Sequence, residues 1–360
     1  MGVQLFFDSI WDVVPYIAIV AVAYSFALIA RSSGLSPHRG ATQALGHAGA
    51  IMSLALFQGS RTVAVGSDTS SYLFSYDRIP TDLSAGYAIT THEPLFFLTG
   101  FLAKSAGFGD GAYLVLVSIL AVVPAYAALL RFGGRIEIGV LFYCLFCFYL
   151  LGFNVSRQAI ALGFIGLAYA ATFVSSRMPR IESLFWIIIA SGFHYSAAGA
   201  GLVILTWAIV PRAWRMVAVA ASVVTAAVLA GSGQFSSRLL ESEYGNYFSE
   251  TYGGLGSAGL LAFFAFATLI VGTSDEGQEK PYLVFAFIGL AFLTIGLWYV
   301  FVARAAQYFL FSLLIPLTTR SSLVPPRVPG LMLMGGGLVF FVANILLFAQ
   351  LAPYRSWLGP

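Results

Sequence analysis

The few charges of this chain gather in two kinds of place, and that constrains it more than any other feature. Of its 18 Lys and Arg residues, eleven mark alternate loops between apolar stretches. Others fall in polar clusters at the opposite ends of those stretches. The clusters are Arg61 with Asp68 and Glu93, Asn154 with Arg157 and Gln158, His194, and Arg304. An ionisable residue at the boundary of an apolar segment is costly to keep and points to function. Four such clusters on one side imply a site on that side.

The chain is 59% hydrophobic and 9% charged, with a mean hydropathy of +0.88. Apolar stretches close to the ~20 residues that a membrane span needs recur along its whole length. A soluble α/β protein of this size would not leave so few charges for its surface. The expected fold is therefore all-α: a polytopic integral membrane protein of about 10–13 transmembrane or re-entrant helices, forming a single membrane domain over residues 1–360. The net charge of +3 is small and carries no sign of a nucleic-acid partner. The apolar start near Trp11 is not followed by a small-residue cleavage pattern, so it reads as the first span. Cys144 and Cys147 form C-x-x-C inside LFYCLFCFYL, where they read as packing residues and not as a redox pair or metal site.

Spans are expected near 11–30, 41–58, 112–130, 136–153, 159–175, 216–231, 257–272, 282–301, 305–319 and 329–350. Residues 94–106 are apolar but short. Residues 182–210 form one long run broken at Gly192, Phe193 and His194, as two half-segments meeting at the histidine. By the positive-inside rule, Arg31, Arg39, Arg131, Arg135, Arg177, Arg180, Arg212, Arg215, Lys280, Arg320 and Arg327 are cytoplasmic. If 94–106 is re-entrant, every other segment alternates consistently and both termini face outside. If it crosses fully, Arg131 and Arg135 break the rule. The outside loops are then 59–93, 154–158, 232–256 and around 302–304, plus the turn at His194. The two large extracytoplasmic loops, 59–93 and 232–256, combine acids with aromatics such as Tyr72, Tyr244 and Tyr247. That combination suits sugars, although an interfacial belt accounts for most of the aromatic residues.

Each cluster has a structural alternative. Asp68 and Thr69 suit the cap of a following helix. Glu93-Pro94 suits a helix start, where an acid meets the positive end of the dipole. Against that stands the company of Arg61 and His92 at the same face. Arg157 sits on the side where a purely topological arginine does not belong, and its planar fork suits diphosphate. His194 interrupts an apolar run, and Arg304 makes a polar face with Gln307 and Tyr308 one turn on.

In order, these pieces resemble the EpsG/Wzy-like family of membrane polysaccharide polymerases. The family's R-x-x-x-x-G-x-D-x-x-x-Y loop is matched by Arg61, Gly66, Asp68 and Tyr72. E-P-x-F is matched by Glu93, Pro94 and Phe96, and N-x-x-R-Q by Asn154, Arg157 and Gln158. H-x-S-A is matched by His194, Ser196 and Ala197, and R-x-x-x-Y-F by Arg304, Tyr308 and Phe309, with Pro353-Tyr354 closing the series. The resemblance implies a bacterial inner-membrane enzyme, similar to GT-C-type glycosyltransferases, with its active site facing the periplasm. It implies polymerisation of oligosaccharide repeat units carried on undecaprenyl diphosphate, with a chain-length regulator as a possible protein partner. Arg157, Arg304 and Arg61 are then the candidates for the diphosphate. Glu93, His194 and Asp68 are the candidates for the proton acceptor, with Glu93 or His194 preferred. Tyr72, Asn154, Gln158, Tyr247 and Tyr308 supply sugar contacts or polar support. Desolvation at the apolar boundary is expected to raise the Glu93 pKa and suit it as a base. No cofactor is expected and no metal, because neither a D-x-D pair nor clustered His/Asp ligands occur.

Three other readings are weighed. A flippase or other transporter of lipid-linked sugars needs charges through the middle of the membrane. An O-antigen ligase shares the donor but has a larger outer loop than 59–93. A membrane O-acyltransferase needs an early His–Arg arrangement that His38 and His47 do not make.

Overall fold

The computed structural model describes residues 10–32, 39–80, 93–174, 177–231, 255–273, 280–297, 300–348 and 350–358. Among these residues there are helices and no strands, apart from one isolated bridge between Arg61 and Ser356. After a short 3-10 turn at Ile10–Val13, the α-helices in chain order are α1 (Val14–Ser32), α2 (Arg39–Gly59), α3 (Thr69–Asp77), α4 (Pro94–Ser105), α5 (Asp110–Arg131), α6 (Ile136–Leu145), α7 (Leu151–Asn154) and α8 (Ser156–Phe173). There follow α9 (Pro179–Phe193), α10 (Ala197–Ile209), α11 (Arg212–Gly231), α12 (Leu255–Thr273), α13 (Pro281–Ile295), α14 (Val300–Leu310), α15 (Leu314–Thr319) and α16 (Val328–Ala343). Four described helical stretches are long and apolar enough to cross a membrane: Trp11–Ser32, Asp110–Arg131, Val302–Thr319 and Val328–Leu347. This is an all-α membrane protein.

At the centre of the bundle α8 packs against α5 and α9, and α2 packs against α1 and α5. The sequence of α8, SRQAIALGFIGLAYAATF, is rich in Ala and Gly, which lets backbones approach closely, as at membrane helix interfaces generally. A Cβ on Gly163 would lie 2.7 Å from the backbone nitrogen of Ala125. Around this contact Tyr143, Phe148 and Phe311 pack edge to face.

Helix direction sorts the polar residues into two ends. An 18-residue helix such as α8 rises about 27 Å, so Arg157 in its first turn lies far from Arg177 beyond its end. Arg31, Arg39, Arg131, Arg135, Arg180, Arg212, Lys280, Arg320 and Arg327 all sit at or beside helix termini of the end away from Arg157. Three of these charges, Arg31, Arg131 and Arg135, form ion pairs there. Glu137, fully buried, accepts from both Arg31 and Arg135 Nε (2.8 Å in the latter case). Glu182 accepts from Arg131 and from Trp186 Nε1.

The short segment 94–106 forms the 12-residue helix α4, both ends of which lie at one end of the bundle. Its first residues lie against His194 and Gly192. Its last reach Tyr76, where Lys104 Nζ donates to the carbonyls of Tyr76 and Asp77, and the Tyr76 hydroxyl donates to the Phe108 carbonyl. Tyr76 in turn stacks on Tyr113 in the first turn of α5, centroids 3.9 Å apart. Helix α4 thus starts and finishes at one end of the bundle. The break at His194 also appears as expected, between α9 and α10.

Two expectations, one span and one loop, differ. The run 136–153 is not one helix: α6 ends at Leu145, a buried turn occupies 146–150, and the one-turn α7 follows. Cys147 takes a φ of 63° there. Irregular backbone at this depth survives only where protein satisfies it. Here the Gln58 amide donates to the Tyr149 carbonyl at 3.0 Å, and the Tyr149 hydroxyl donates to the Leu54 carbonyl at 2.8 Å. The second difference concerns Arg304, placed by the hydropathy pattern in a loop near 302–304. It lies within α14, which begins at Val300 and continues through a 3-10 turn into α15.

This arrangement predicts a labelling pattern. In a Cys144→Ala, Cys147→Ala background, Ser67→Cys and Asp110→Cys should react with an impermeant maleimide from the same side of the membrane, and Met178→Cys from the other. Reaction of positions 67 and 110 from opposite sides would mean that α4 crosses.

Candidate functional site

The sequence motifs that meet are 64 to 146 residues apart, yet each hydrogen-bonds to another. The loop after α2 begins at Arg61, which is wholly buried. Its guanidinium donates to Thr69 Oγ1 (2.9 Å), to the Gln58 carbonyl (2.8 Å) and, at 3.5 Å, to Ser156 Oγ. It lies over the Phe153 ring at 5.6 Å. The loop then presses Gly66 against the N-x-x-R-Q turn. Gly66 has a φ of +87°, and a Cβ there would come within 2.4 Å of the Phe153 carbonyl oxygen, so only glycine suits this position. The next amide, Ser67 N–H, donates to Asn154 Oδ1 at 3.0 Å. Asp68 stands at the N-cap of α3 without a capping side-chain bond; its Oδ1 accepts instead from Ser67 Oγ at 2.8 Å.

Glu93 is the hub. It precedes Pro94, the first residue of α4, and is 6% exposed. Oε2 accepts from Arg157 Nη1 at 2.5 Å, and Oε1 lies 2.8 Å from His194 Nδ1. One carboxylate therefore joins the start of α8 to the break between α9 and α10. The Arg157 guanidinium also lies over the rings of Tyr72 and Phe96, at 5.8 and 5.9 Å, within cation–π range. The remaining motif is tied in through backbone and hydroxyl groups. Gln158 Nε2 donates to the Arg304 carbonyl at 2.6 Å, and the hydroxyls of Ser196 and Tyr308 lie 3.2 Å apart. Tyr308 is fully buried, and its carbonyl accepts from Tyr169 at 3.1 Å.

The expectation for the Glu93 pKa is reversed. Burial does push the carboxyl up, but the His194 hydrogen bond and the charge of Arg157 outweigh it and hold the carboxyl at about 2. The sequence shows the desolvation and not the partners, which are 64 and 101 residues away. A carboxylate held so low is a poor proton acceptor near neutral pH. It orients its neighbours instead.

The candidates therefore separate by position. Glu93, Arg157, His194 and Tyr72 share one cluster; Gln158, Arg304 and Tyr308 adjoin it through the bonds above. Asn154 holds the 61–72 loop. Arg61 is committed to protein partners in the interior, which is a structural placement and not that of an open anion site. Tyr247 and His92 lie outside the described residues. Two side chains given no role from sequence join the cluster: Phe96, quoted only as part of E-P-x-F, whose ring faces Arg157, and the half-exposed Tyr195, next to His194. The E-P-x-F spacing contains the signal for Phe96; an aromatic after a histidine gives none for Tyr195. Among the described residues no three of His, Cys, Asp and Glu gather as a metal site.

The depressed Glu93 pKa fixes the sign of an acid effect. A carboxyl that titrates lower folded than unfolded contributes stability above its unfolded value, here 4.5, and loses it as pH falls toward 2. Glu93→Gln should therefore lower the melting temperature of the purified protein at pH 7, and the gap from wild type should narrow between pH 4.5 and 3. A gap that stays constant across that range would remove the ionised carboxylate as the source of the stabilisation.

No curated protein and no solved structure matches the chain. The model of the EpsG family matches residues 49–352, a stretch that contains all five polar motifs and the hydrogen bonds joining them, and the chain belongs to that family.

Proposed function

We propose that this protein is a polysaccharide polymerase that joins oligosaccharide repeat units carried on undecaprenyl diphosphate, working at the periplasmic face of a bacterial inner membrane. The observation that carries the reading is the Glu93 carboxylate bonded at once to Arg157 and His194, at the end of the bundle away from the basic loops. A transporter would need such charges through the middle of the membrane.

The reaction is a glycosyl transfer. An acceptor hydroxyl attacks the anomeric carbon of the donor sugar, the bond from that carbon to the diphosphate oxygen breaks, and undecaprenyl diphosphate leaves with the electron pair. The leaving group carries stabilised charge, so no general acid is required. Arg157 and Arg304 hold the diphosphate and stabilise the charge that builds on it. Glu93 fixes one edge of the Arg157 fork. It also fixes His194 through Nδ1, leaving Nε2 to take the hydroxyl proton. A carboxylate that orients an imidazole and stabilises its cation is a recurrent device for such a base. Tyr72 and Phe96 pack the Arg157 guanidinium from the side. In this reading Arg61 shapes the loop and does not touch the diphosphate.

The test is turnover of a lipid-linked repeat unit by purified protein, read as a ladder on a gel. His194→Ala and Glu93→Gln should each lose roughly a hundredfold or more, the scale of a positioned acid–base group. Arg157→Ala and Arg304→Ala should abolish polymer while the protein remains in the membrane. Arg157→Lys should rescue poorly, because a point charge does not replace a planar fork. Full turnover by His194→Ala would remove the imidazole as the base. Repeat units appearing on the opposite leaflet with no ladder would favour a transporter.

A further inference from the structure

Glu137 is a buried carboxylate that the Glu93 cluster does not use. It lies in the first turn of α6, at the end of the bundle opposite Glu93. Its Oε1 accepts from Arg31 Nη1, in the last turn of α1, and from Arg135 Nε at 2.8 Å, from the N-cap of α6. Both bonds fall on one oxygen, and Oε2 has no hydrogen-bond partner among the described residues. A carboxylate paired with one arginine commonly fills its fork with both oxygens. Here each arginine gives Glu137 a single hydrogen bond, so the carboxylate fills neither fork. The two donor nitrogens meet at one atom and are less than twice 2.8 Å apart.

One carboxylate balances one of these two cations. The other charge stands uncompensated by it, and cations held so close repel unless a second anion joins them. The arginine side chains are 46% and 38% exposed, so the converged guanidinium groups are open to the surface. Their mounting is firm. The Arg135 amide donates to the Thr318 carbonyl at 2.9 Å, and a Cβ on Gly134 would lie 2.0 Å from that same oxygen. The start of α6 is thus pressed onto the end of α15. A phosphate group suits such a pair, because its oxygens accept from both forks at once and guanidinium stays charged at any working pH. The surroundings favour a lipid as its source. Phe26, Leu28 and Ile29, in the two turns before Arg31, are exposed on a helix long and apolar enough to cross a membrane. Acyl chains can lie against them with the headgroup at the height of Arg31.

We propose that Arg31 and Arg135, converged on Glu137, form a binding site for the phosphate of an anionic phospholipid in the leaflet at this end of the bundle. Basic residues between membrane helices recur as sites for anionic headgroups. What distinguishes this pair from the other arginines at the same end is the buried carboxylate that draws two guanidinium groups to one point. The site is remote from Glu93, Arg157 and His194, and it does not depend on the polymerase reading.

The test is native mass spectrometry of the purified full chain, titrated with phosphatidylglycerol or with phosphatidylcholine and read as lipid-bound fraction. Wild type should hold phosphatidylglycerol roughly tenfold or more tighter. Removing both arginines alone would strand the Glu137 charge, so the variant is the triple Arg31→Gln, Arg135→Gln, Glu137→Gln. It should lose that preference. Arg177→Gln makes the same change in net charge at the same end and should keep it. If the triple variant does not fold, Arg31→Gln decides, since it leaves the Arg135–Glu137 pair in place; it should weaken phosphatidylglycerol binding severalfold. Three results would overturn the inference: equal affinity of wild type for the two lipids, an unchanged preference in the folded triple variant or in Arg31→Gln, or an equal loss in Arg177→Gln, which would mean diffuse charge and no site. Displacement of phosphatidylglycerol by millimolar inorganic phosphate at fixed ionic strength would identify a soluble anion as the occupant and overturn the lipid assignment.

Discussion

A carboxylate at an apolar boundary must either find cations or give up its charge, and the arrangement around Glu93 follows from which of these happens. Burial alone would favour the neutral acid. Arg157 on one oxygen and His194 on the other reverse that preference. A hydrogen bond involving a charged group contributes about 1.5–3 kcal/mol. Removing one partner of a buried pair costs about 3–5 kcal/mol, because the other charge is left stranded. Glu93 therefore does more than sit at a helix start. It fixes the first turn of α8 and the break between α9 and α10 relative to α4, and these three positions belong to separate parts of the chain.

The second constraint lies below that cluster. Arg61 is wholly buried with its donors committed to Gln58, Thr69 and Ser156, which keeps the 61–72 loop against the end of α7. The C-terminal segment closes over the same loop. Thr62 and Gly66 donate their amides to the carbonyls of Arg355 and Gln350, and Trp357 donates back to Ser60. The Tyr354 ring stacks on Phe57, 4.2 Å between centroids, while its hydroxyl donates to the Phe57 carbonyl at 2.6 Å. A buried arginine fixed in this way is expensive to form and expensive to lose. Its place at the head of the family pattern follows from the loop it organises, and Tyr72, which lies beside Arg157, is carried on that loop.

Much of this was legible in the sequence because membrane insertion makes hydropathy and charge position informative. The all-α fold, the break at His194 and the gathering of basic residues at one end are consequences of backbone satisfaction and of the cost of burying charge. Three things were not legible. The turn at 146–150 lies inside LFYCLFCFYL, where composition is uniformly apolar; what permits the turn is Gln58, some 90 residues earlier. The direction of the Glu93 pKa depends on two partners that spacing does not reveal. The burial of Arg61 separates it from Arg157, although both are arginines beside polar motifs at the same end. In each case the local pattern shows that a polar group exists, and only the fold shows what answers it.

The breaks in regular helix are therefore more informative than the helices. His194 ends α9, and its neighbour Ser196 meets Tyr308; Asn154 ends α7, and its neighbour Ser156 meets Arg61; Asn344 begins the turn that ends α16. A continuous helix satisfies its own backbone and presents side chains outward at fixed spacing, so it offers a bound molecule little that is concave. Interrupting it exposes side chains at the interruption to groups on neighbouring elements. In this chain the break at His194 brings its imidazole against the Glu93 carboxylate, which also holds the Arg157 guanidinium at the start of α8.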